Sequence, residues 1–267
     1  MKRLIYILLL LVFAVSCEEE IPWQLDQNVT PRLVVEGIVT NNPDLNYVKL
    51  SLPVVNPNST PIALSGATVV IASSAGNTNL SESPTKPGLY IPDSPLTGVV
   101  GEAYRLYINI NGNEFISSIV WMKPVEALKE FRSYAISSVP GAYGINPIEE
   151  NDPSITMYMV TYPNPETQDD TLKSIFYTFT LRSIDVSQFF KPRSEFLIFP
   201  ENSTIIRTKY SMTPEYENYI RGMLSETEWK GGWFDVLPGN ISTNISQGGV
   251  GYFAASSVLR DTLYFNK

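Results

Sequence analysis

Two groups of carboxylates are the side chains in this sequence that most readily suggest chemistry. They lie at Glu149 to Asp152 and at Asp169 with Asp170. Carboxylate oxygens are the ligands that Ca²⁺ prefers, and two carboxyl groups at a fixed separation can hydrolyse a glycosidic bond. Neither group has the spacing of an EF-hand, and no pair is marked out as acid and base. We therefore expect solvated acidic loops, no metal site and no enzyme.

Histidine is absent from the 267 residues, and Cys17 is the only cysteine. This composition excludes Ser-His-Asp and Cys-His catalysis, haem held by histidine, the common zinc sites and any disulfide within the chain. The chain is 43 % apolar and 12 % aromatic, which is enough to fill real cores. We expect a binding or structural protein without a cofactor.

Cys17 stands at the end of an apolar segment near the start of the chain. Lys2 and Arg3 precede the run from Leu4 to Ala14, which has the length of a signal-peptide core and is too short to span a bilayer. The residues from Ala14 to Cys17 resemble a bacterial lipobox, which is cleaved before the cysteine. Residues 1–16 are thus predicted to be a lipoprotein signal peptide. Cys17 would carry covalent lipid, since two or more acyl chains anchor stably. The alternative is an ordinary secretory signal.

Three glutamates, Glu18, Glu19 and Glu20, follow the cysteine directly. Acidic residues at this place resemble the signal that Bacteroidota use to export lipoproteins to the outer face of the outer membrane. We expect a protein at the cell surface, with a periplasm-facing protein as the alternative. Residues 17–30 are predicted to be the lipidated cysteine and an acidic tether, and a solvated tether without an export role is the alternative interpretation of the three glutamates.

The charge of the chain argues against nucleic acid as a partner. The formal net charge is −8, and removal of residues 1–16 takes away Lys2 and Arg3 and no acid, which leaves −10. Nucleic acids need a basic surface that displaces their counterions. Electrostatic docking on anionic lipid is disfavoured for the same reason.

Alternating apolar residues predict a mostly β protein. In residues 31–122 about seven short strands are separated by glycines, and Asn111-Gly112 is a strong hairpin signal. The order of Val35–Val39, Leu64–Val70, Gly88–Tyr90 and Gly101–Leu106 resembles a transthyretin-like or immunoglobulin-like β-sandwich. Residues 123–267 are predicted to be a second β-rich domain, with strands near Ser154–Tyr162 and Lys173–Arg182.

One helix is expected near residues 213–229. Thr213 is a suitable N-cap, Pro214 suits the first helical position, and Glu215 suits the first turn. Tyr216, Tyr219 and Met223 then follow at helical spacing. They could form a docking stripe, but a core-facing side of the helix explains them better.

The segment at the end of this helix is rich in aromatic residues and glycine. Trp229, Trp233 and Phe234 flank two glycines and could form a platform that stacks on a sugar. The alternative, which we favour, is a helix end that folds its aromatic rings into the core. Two further short patterns, Asp170-Thr171-Leu172 and Asp261-Thr262-Leu263, resemble the O-glycosylation sequon of Bacteroidota and would place glycans on Thr171 and Thr262.

These segments together resemble the family called domain of unknown function 4249. The resemblance covers nearly the whole chain after residue 16 and is carried by the order of six short segments rather than by one motif. The segments are Cys17 with its glutamates, Leu33–Gly37, Gly66–Val69, Gly101–Leu106, Met212–Tyr219 and Gly248–Phe253. Ala254 and Ala255 depart from the pattern, where a glycine is expected.

The resemblance implies an outer-membrane lipoprotein of the Bacteroidota. Members of this family often accompany TonB-dependent outer-membrane transporters, which implies a non-catalytic accessory in nutrient capture. A freestanding protein that binds carbohydrate or peptide is an alternative, as is a structural or adhesin-like envelope protein. In each case the outer membrane is the expected location.

Overall fold

The computed structural model describes residues 32–54, 59–148, 151–164, 170–182, 189, 197–230 and 239–266. The segment from Arg32 to Lys267 forms one compact unit. Cys17 and its three glutamates precede the described residues. No helix in the described ranges is long and apolar enough to cross a membrane.

A curled sheet of nine strands forms the first part of the fold. The strands are β1 (Val34–Thr40), β2 (Tyr47–Ser51), β3 (Thr68–Ser73), β4 (Gly76–Glu82), β5 (Leu89–Pro92), β6 (Ala103–Ile110), β7 (Asn113–Ile116), β8 (Val120–Trp121) and β15 (Val250–Ser256). Their order in the sheet is β15-β1-β2-β5-β4-β3-β6-β7, and β8 pairs with β6. A short 3₁₀ helix, Pro43–Leu45, joins β1 to β2.

The sheet curls around one apolar core because alternate residues of its strands point inward. Val35, Leu50, Ile71 and Leu106 lie in this core, and each is at most 1 % exposed. The segment before β15 brings the two ends of the sheet together. The Ser246 amide donates to the carbonyl of Ile116 at 2.9 Å, and the Ser118 amide donates to that of Asn244 at 2.7 Å.

A turn and a strand position of this sheet depend on backbone with positive φ. Asn111 and Gly112 have φ of 51° and 78°, which confirms the hairpin expected between β6 and β7. Gly251 has φ of +93° and lies in β15, which pairs parallel with β1. A β-carbon at Gly251 would lie 2.0 Å from the carbonyl oxygen of Val35, so only glycine allows this close approach. This strand lies within the range predicted for the second domain, yet it belongs to the first sheet.

Two smaller sheets form the rest of the fold. Their strands are β9 (Ser133–Ala135), β10 (Ala142–Ile145), β11 (Ser154–Pro163), β12 (Thr171–Thr180), β13 (Ile198–Pro200), β14 (Ser203–Ser211) and β16 (Val258–Phe265). The four-stranded sheet has the order β12-β11-β14-β16, all antiparallel, and the three-stranded sheet has the order β13-β10-β9. The two sheets share an aromatic core that contains Tyr158, Phe199 and Phe265.

The helix α1, Pro214–Glu226, begins where the sequence predicts it. The Thr213 hydroxyl accepts from the Tyr216 amide at 3.3 Å, and Pro214 occupies the first turn. Ile220 and Leu224 pack with Ile155 of the four-stranded sheet. The described residues thus form a mostly β protein in which α1 packs on the sheet, and the predicted fold class is confirmed.

Candidate functional site

Most of the residues proposed as sites from the sequence lie outside the described residues. These are Cys17, Glu18, Glu19, Glu20, Trp233 and Phe234, together with Glu149, Glu150 and Asp169 of the acidic segments. Among the described residues, no group of three Asp, Glu, His or Cys side chains is arranged to hold a metal ion. Asp152 is described, and it lies at the cavity that is discussed below.

Trp229 belongs to the core rather than to a surface platform. Its side chain is only 4 % exposed and packs with Ile155, Ile220 and Leu224. Its backbone amide donates to the carbonyl of Leu224 at 2.9 Å, which folds the chain back at the helix end. The Trp229 ring is therefore not available for stacking on a ligand, as the core-facing interpretation predicts.

The tyrosines of α1 pack on the outer side of the first sheet. The rings of Tyr216 and Tyr219 lie 5.1 and 5.0 Å from the ring of Tyr252 on β15. Burial, and then the nearby charge of Glu215, raise the pKa of Tyr252 to about 12. Burial also raises the pKa of Tyr216. These ring contacts pack the helix against the sheet. Little of the tyrosine surface is therefore left to dock a partner.

A hydrogen bond to Glu36 adds a polar edge to this tyrosine cluster. The Tyr47 hydroxyl donates to Glu36 Oε1 at 2.7 Å. Burial and the adjacent carboxylate raise the pKa of Tyr47 well above its usual range. The neutral phenol is thus the form that the fold stabilises.

Strand β14 holds the segment that connects β8 to β9 against the four-stranded sheet. Three side chains at alternate positions donate to carbonyls of this segment. Ser211 Oγ donates to Lys123 at 2.8 Å, and Lys209 Nζ lies 3.4 Å from the oxygen of Ala127. Arg207 Nη1 donates to the carbonyl of Lys129 at 2.7 Å. The connection therefore has a fixed path although it contains no strand of its own between β8 and β9.

A cavity of about 100 Å³ lies between this connection and the sheet. Lys209 is fully buried at its wall, and Ser154 is only 2 % exposed. Within the described residues, Ser154 Oγ has no hydrogen-bond partner. Among the described residues, the charged side chains at the cavity are Lys123, Glu126, Asp152, Arg182 and Lys209. Arg182 and Asp152 approach to 3.9 Å, and both side chains are more than half exposed.

Sequence reasoning missed the polar face of β14. Arg207, Lys209 and Ser211 alternate with Ile206, Thr208 and Tyr210, and this alternation is the signal in the sequence. Strand alternation is normally read as apolar inside and polar outside. Here the polar positions point inward, because the connection supplies carbonyls that accept their hydrogen bonds.

The opposite face of the four-stranded sheet is partly uncovered. Ile175 is 51 % exposed, Tyr177 is 48 % exposed and Tyr264 is 77 % exposed. The strand register places them on one face with half-buried apolar side chains of β11 and β14. We call this surface the open face; it comprises Met157, Met159, Ile175, Tyr177, Ile206 and Tyr264.

A second exposed aromatic surface lies on the outside of the first sheet. Trp121 of β8 is 57 % exposed, and Tyr107 of β6 is 38 % exposed. The guanidinium of Arg105 lies over the Tyr107 ring at 5.8 Å from its centroid. Trp121 is paired with Ala103, so it shares the outward side of β6 with Arg105 and Tyr107. We call this the Trp121 surface.

The two glycosylation patterns fall on edge strands of the four-stranded sheet. Thr171 begins β12 and Thr262 lies in β16, and both side chains are exposed. The Thr171 amide donates to Asp170 at 2.8 Å. Asp261 is engaged by Arg207, so this carboxylate serves the fold whether or not the neighbouring threonine carries a glycan.

The described residues form a mostly β protein that carries the open face, the Trp121 surface and a small polar cavity. A family model described as Domain of unknown function (DUF4249) matches residues 18–262, and the chain belongs to this family. The resemblance seen in the sequence is thereby confirmed. Searches of curated proteins and of solved structures found no match.

Proposed function

We propose that this protein is a non-catalytic lipoprotein of the outer membrane, anchored through Cys17, that docks on a TonB-dependent transporter in nutrient capture. Family membership and the residues from Lys2 to Glu20 support this proposal. Lipid on Cys17 would hold the protein at the membrane, and the acidic residues after it would direct the protein to the cell surface.

The open face is the observation that carries the docking proposal. An exposed group of apolar and aromatic side chains on a soluble domain typically marks an interaction surface. Tyrosine and methionine are enriched at such interfaces. The face stands on a regular antiparallel sheet, which presents it rigidly, so little ordering entropy would oppose binding.

Co-purification from outer membranes tests the docking role. Ile175→Lys places a charge in the open face, whereas Ile91→Lys places the same charge at an isoleucine of β5 that is 45 % exposed. We expect a TonB-dependent transporter at near-equal stoichiometry with the wild type and with Ile91→Lys. Ile175→Lys should recover much less of the transporter. Equal recovery of the transporter with both variants would reject the open face as the docking surface.

The anchor is tested by labelling with palmitate. The wild type should incorporate the label, and Cys17→Ala should remain unlabelled and leave the membrane fraction or stay unprocessed. Replacement of Glu18, Glu19 and Glu20 by alanine should keep the label and make the protein resistant to added protease on whole cells. A wild type without label would contradict the lipid anchor.

The Trp121 surface favours a second candidate function, the binding of carbohydrate. Aromatic rings beside a guanidinium are suited to stacking on sugar rings and to hydrogen bonding with their hydroxyls. Saturable binding of an oligosaccharide by the isolated protein, lost in Trp121→Ala, would support this role. Absence of saturable binding across a panel of surface glycans would rule out this carbohydrate-binding role.

A further inference from the structure

The guanidinium of Arg105 on the Trp121 surface is held in place by two contacts. Its Nε donates to the carbonyl of Ser117 at 3.1 Å, and its central carbon lies 5.8 Å from the centroid of the Tyr107 ring. A cation at this distance is attracted by the face of an aromatic ring. The charged group is therefore preorganised, although it stands on the outward side of the sheet.

The two terminal nitrogens of this guanidinium are not used by the fold. Among the residues that the structure describes, Arg105 forms no ion pair, and its Nη1 and Nη2 donate no hydrogen bond. The nearby carboxylate of Glu102 accepts from the Ser74 amide at 2.9 Å. Glu114 opposes Asn109, which lies two outward positions along β6 from Arg105. Arginine nitrogens in this planar fork match a pair of anionic oxygens and form charge-assisted hydrogen bonds with them.

Trp121 supplies an exposed ring beside this guanidinium. It opposes Ala103 in the antiparallel pair of β8 and β6, so Arg105 is its diagonal neighbour on the same face. Such neighbours lie about 7–8 Å apart, which is within reach of aromatic and long side chains. The Tyr107 ring has the guanidinium over its face. We therefore assign ring stacking to Trp121 and the positioning of Arg105 to Tyr107.

The neighbouring strands continue this face with short polar side chains. Ala72 of β3 opposes Arg105, and Asn77 of β4 opposes Ala72. Asn79 is the next residue of β4 that points outward, and both asparagines are exposed. Side-chain amides donate and accept hydrogen bonds, as the hydroxyls of a sugar require. Because Ala72 is small, a chain of sugar units can extend from the guanidinium to these amides.

The flat shape of this face favours a saccharide over an acidic peptide. The residues that dominate binding between proteins usually fill well-packed pockets. Neither Trp121 nor Arg105 lines the polar cavity beside β14, and both stand on the outward side of regular strands. An aromatic ring on a flat sheet can stack on a sugar ring without a pocket.

We propose that the Trp121 surface binds an acidic saccharide. Trp121 stacks on a sugar ring, and Arg105 pairs through its terminal nitrogens with a carboxylate or sulfate group of the same chain of sugars. This inference names the ligand class of the second candidate function and rests on that function. It is independent of docking by the open face.

Isothermal titration calorimetry on the purified full chain tests the proposal with two matched pairs of probes at constant ionic strength. One pair is tetragalacturonate and its methyl ester, and the other is a carrageenan oligosaccharide and its desulfated form. We expect at least one acidic probe to bind at least about fivefold more tightly than its neutral form, in line with a charge-assisted hydrogen bond. The pair that shows this preference identifies the charged group as carboxylate or sulfate.

Substitutions separate the charge from the ring. Arg105→Gln should bind the acidic and neutral forms about equally, and Arg105→Lys should keep only part of the preference, since an ammonium lacks the fork. Trp121→Ala should weaken the binding of both forms. Arg260→Gln removes the same charge from an exposed arginine of β16 and should bind like the wild type, which makes it the matched control.

The outcomes distinguish failure of this inference from failure of the carbohydrate-binding role. Equal affinity of the wild type for acidic and neutral forms would overturn the inference and leave carbohydrate binding intact. No saturable binding of any of the four probes would also overturn it, whereas the carbohydrate-binding role fails only if the wider panel of surface glycans is negative too. A preference for the acidic form that survives in Arg105→Gln would contradict the assignment of Arg105. Tighter binding of polyglutamate than of either acidic probe would assign the surface to an acidic peptide instead.

Discussion

Arg207 and Asp261 form a two-pronged ion pair across the neighbouring strands β14 and β16. Arg207 Nε donates to one carboxylate oxygen at 2.9 Å, and Nη2 donates to the other at 2.5 Å. The Arg207 side chain is only 8 % exposed, and its third contact is the carbonyl of Lys129. One guanidinium thus joins two strands to the connection between the sheets.

Loss of this guanidinium should destabilise the protein. Arg207→Met leaves the Asp261 carboxylate, whose side chain is 32 % exposed, without its partner and the Lys129 carbonyl without this donor, so it should lower the free energy of unfolding by about 2 kcal/mol. Urea unfolding measures the change. Lys49→Met is the control, because Lys49 and Glu36 lie 4.0 Å apart with both side chains more than half exposed. That pair should contribute less than about 1 kcal/mol. Equal losses in the two variants would contradict this account of Arg207.

Ser211 should be a second point of weakness at the junction of the sheets. Its hydroxyl donates to Lys123 and accepts from the Ser257 amide at 3.0 Å. Ser211→Ala leaves that buried amide without its acceptor and should cost about 1–3 kcal/mol in unfolding free energy. Ser81→Ala should change stability by less than about 0.5 kcal/mol, since exposed substitutions of this kind are nearly neutral. A Ser211→Ala protein as stable as this control would show that the junction does not need the hydroxyl.

Two glycine-to-alanine substitutions should act in opposite directions. Gly251→Ala forces a β-carbon against the carbonyl of Val35 at a positive φ and should destabilise by at least about 3 kcal/mol. Gly222 lies inside α1, where the nearest atom to an added β-carbon is 3.5 Å away on Ile241. Gly222→Ala should therefore stabilise by about 0.5–1 kcal/mol. Thermal unfolding distinguishes the two, and a shift of the same sign in both would contradict the backbone assignments.

The buried tyrosines should make the fold sensitive to alkali. The pKa of Tyr252 is about 12 in the folded protein, against about 10 in an unfolded chain. Because the folded state retains the phenolic proton longer, this group contributes stability below pH 10 that is lost as the pH rises to 12. In Tyr252→Phe the free energy of unfolding should fall less steeply with pH than in the wild type. The difference in slope is at most about 1.4 kcal/mol per pH unit, the limit for one proton. Urea unfolding between pH 9 and 12 provides the comparison, and parallel declines in the two proteins would exclude Tyr252 as a source.

Local signals in the sequence predict the elements of this fold well. The alternation in Tyr104–Ile110 predicts β6, Asn111-Gly112 predicts its hairpin, and Thr213-Pro214 predicts the start of α1. Each of these features depends on neighbours in the chain. Periodicity and turn chemistry are therefore sufficient to find them.

Long-range pairing is what the sequence does not reveal. β15 pairs in parallel with β1 although about two hundred residues separate them, and no local pattern specifies such a partner. The side of β14 that carries Arg207 and Lys209 is equally hidden, because it depends on where the connection runs. The cavity beside Ser154 follows from that same path, so the sequence gives no sign of it.

Exposure is the other quantity that local patterns misjudge. The alternation of Ile175, Tyr177 and Phe179 in β12 is typical of a face turned to a core, yet Ile175 and Tyr177 are about half exposed. The hydrophobic pattern shows only that these residues share a face. Whether another element of the chain or a partner covers that face is decided by packing at long range.

The open face is the centre of this account, and photo-cross-linking from position 175 tests it most directly. A photoreactive amino acid at Ile175, with one at Ile91 as the control, is activated in intact outer membranes, and the adducts are identified by mass spectrometry. We predict that position 175 captures a TonB-dependent transporter and that position 91 does not. Capture of no transporter from position 175, or equal capture from both positions, would contradict the docking role.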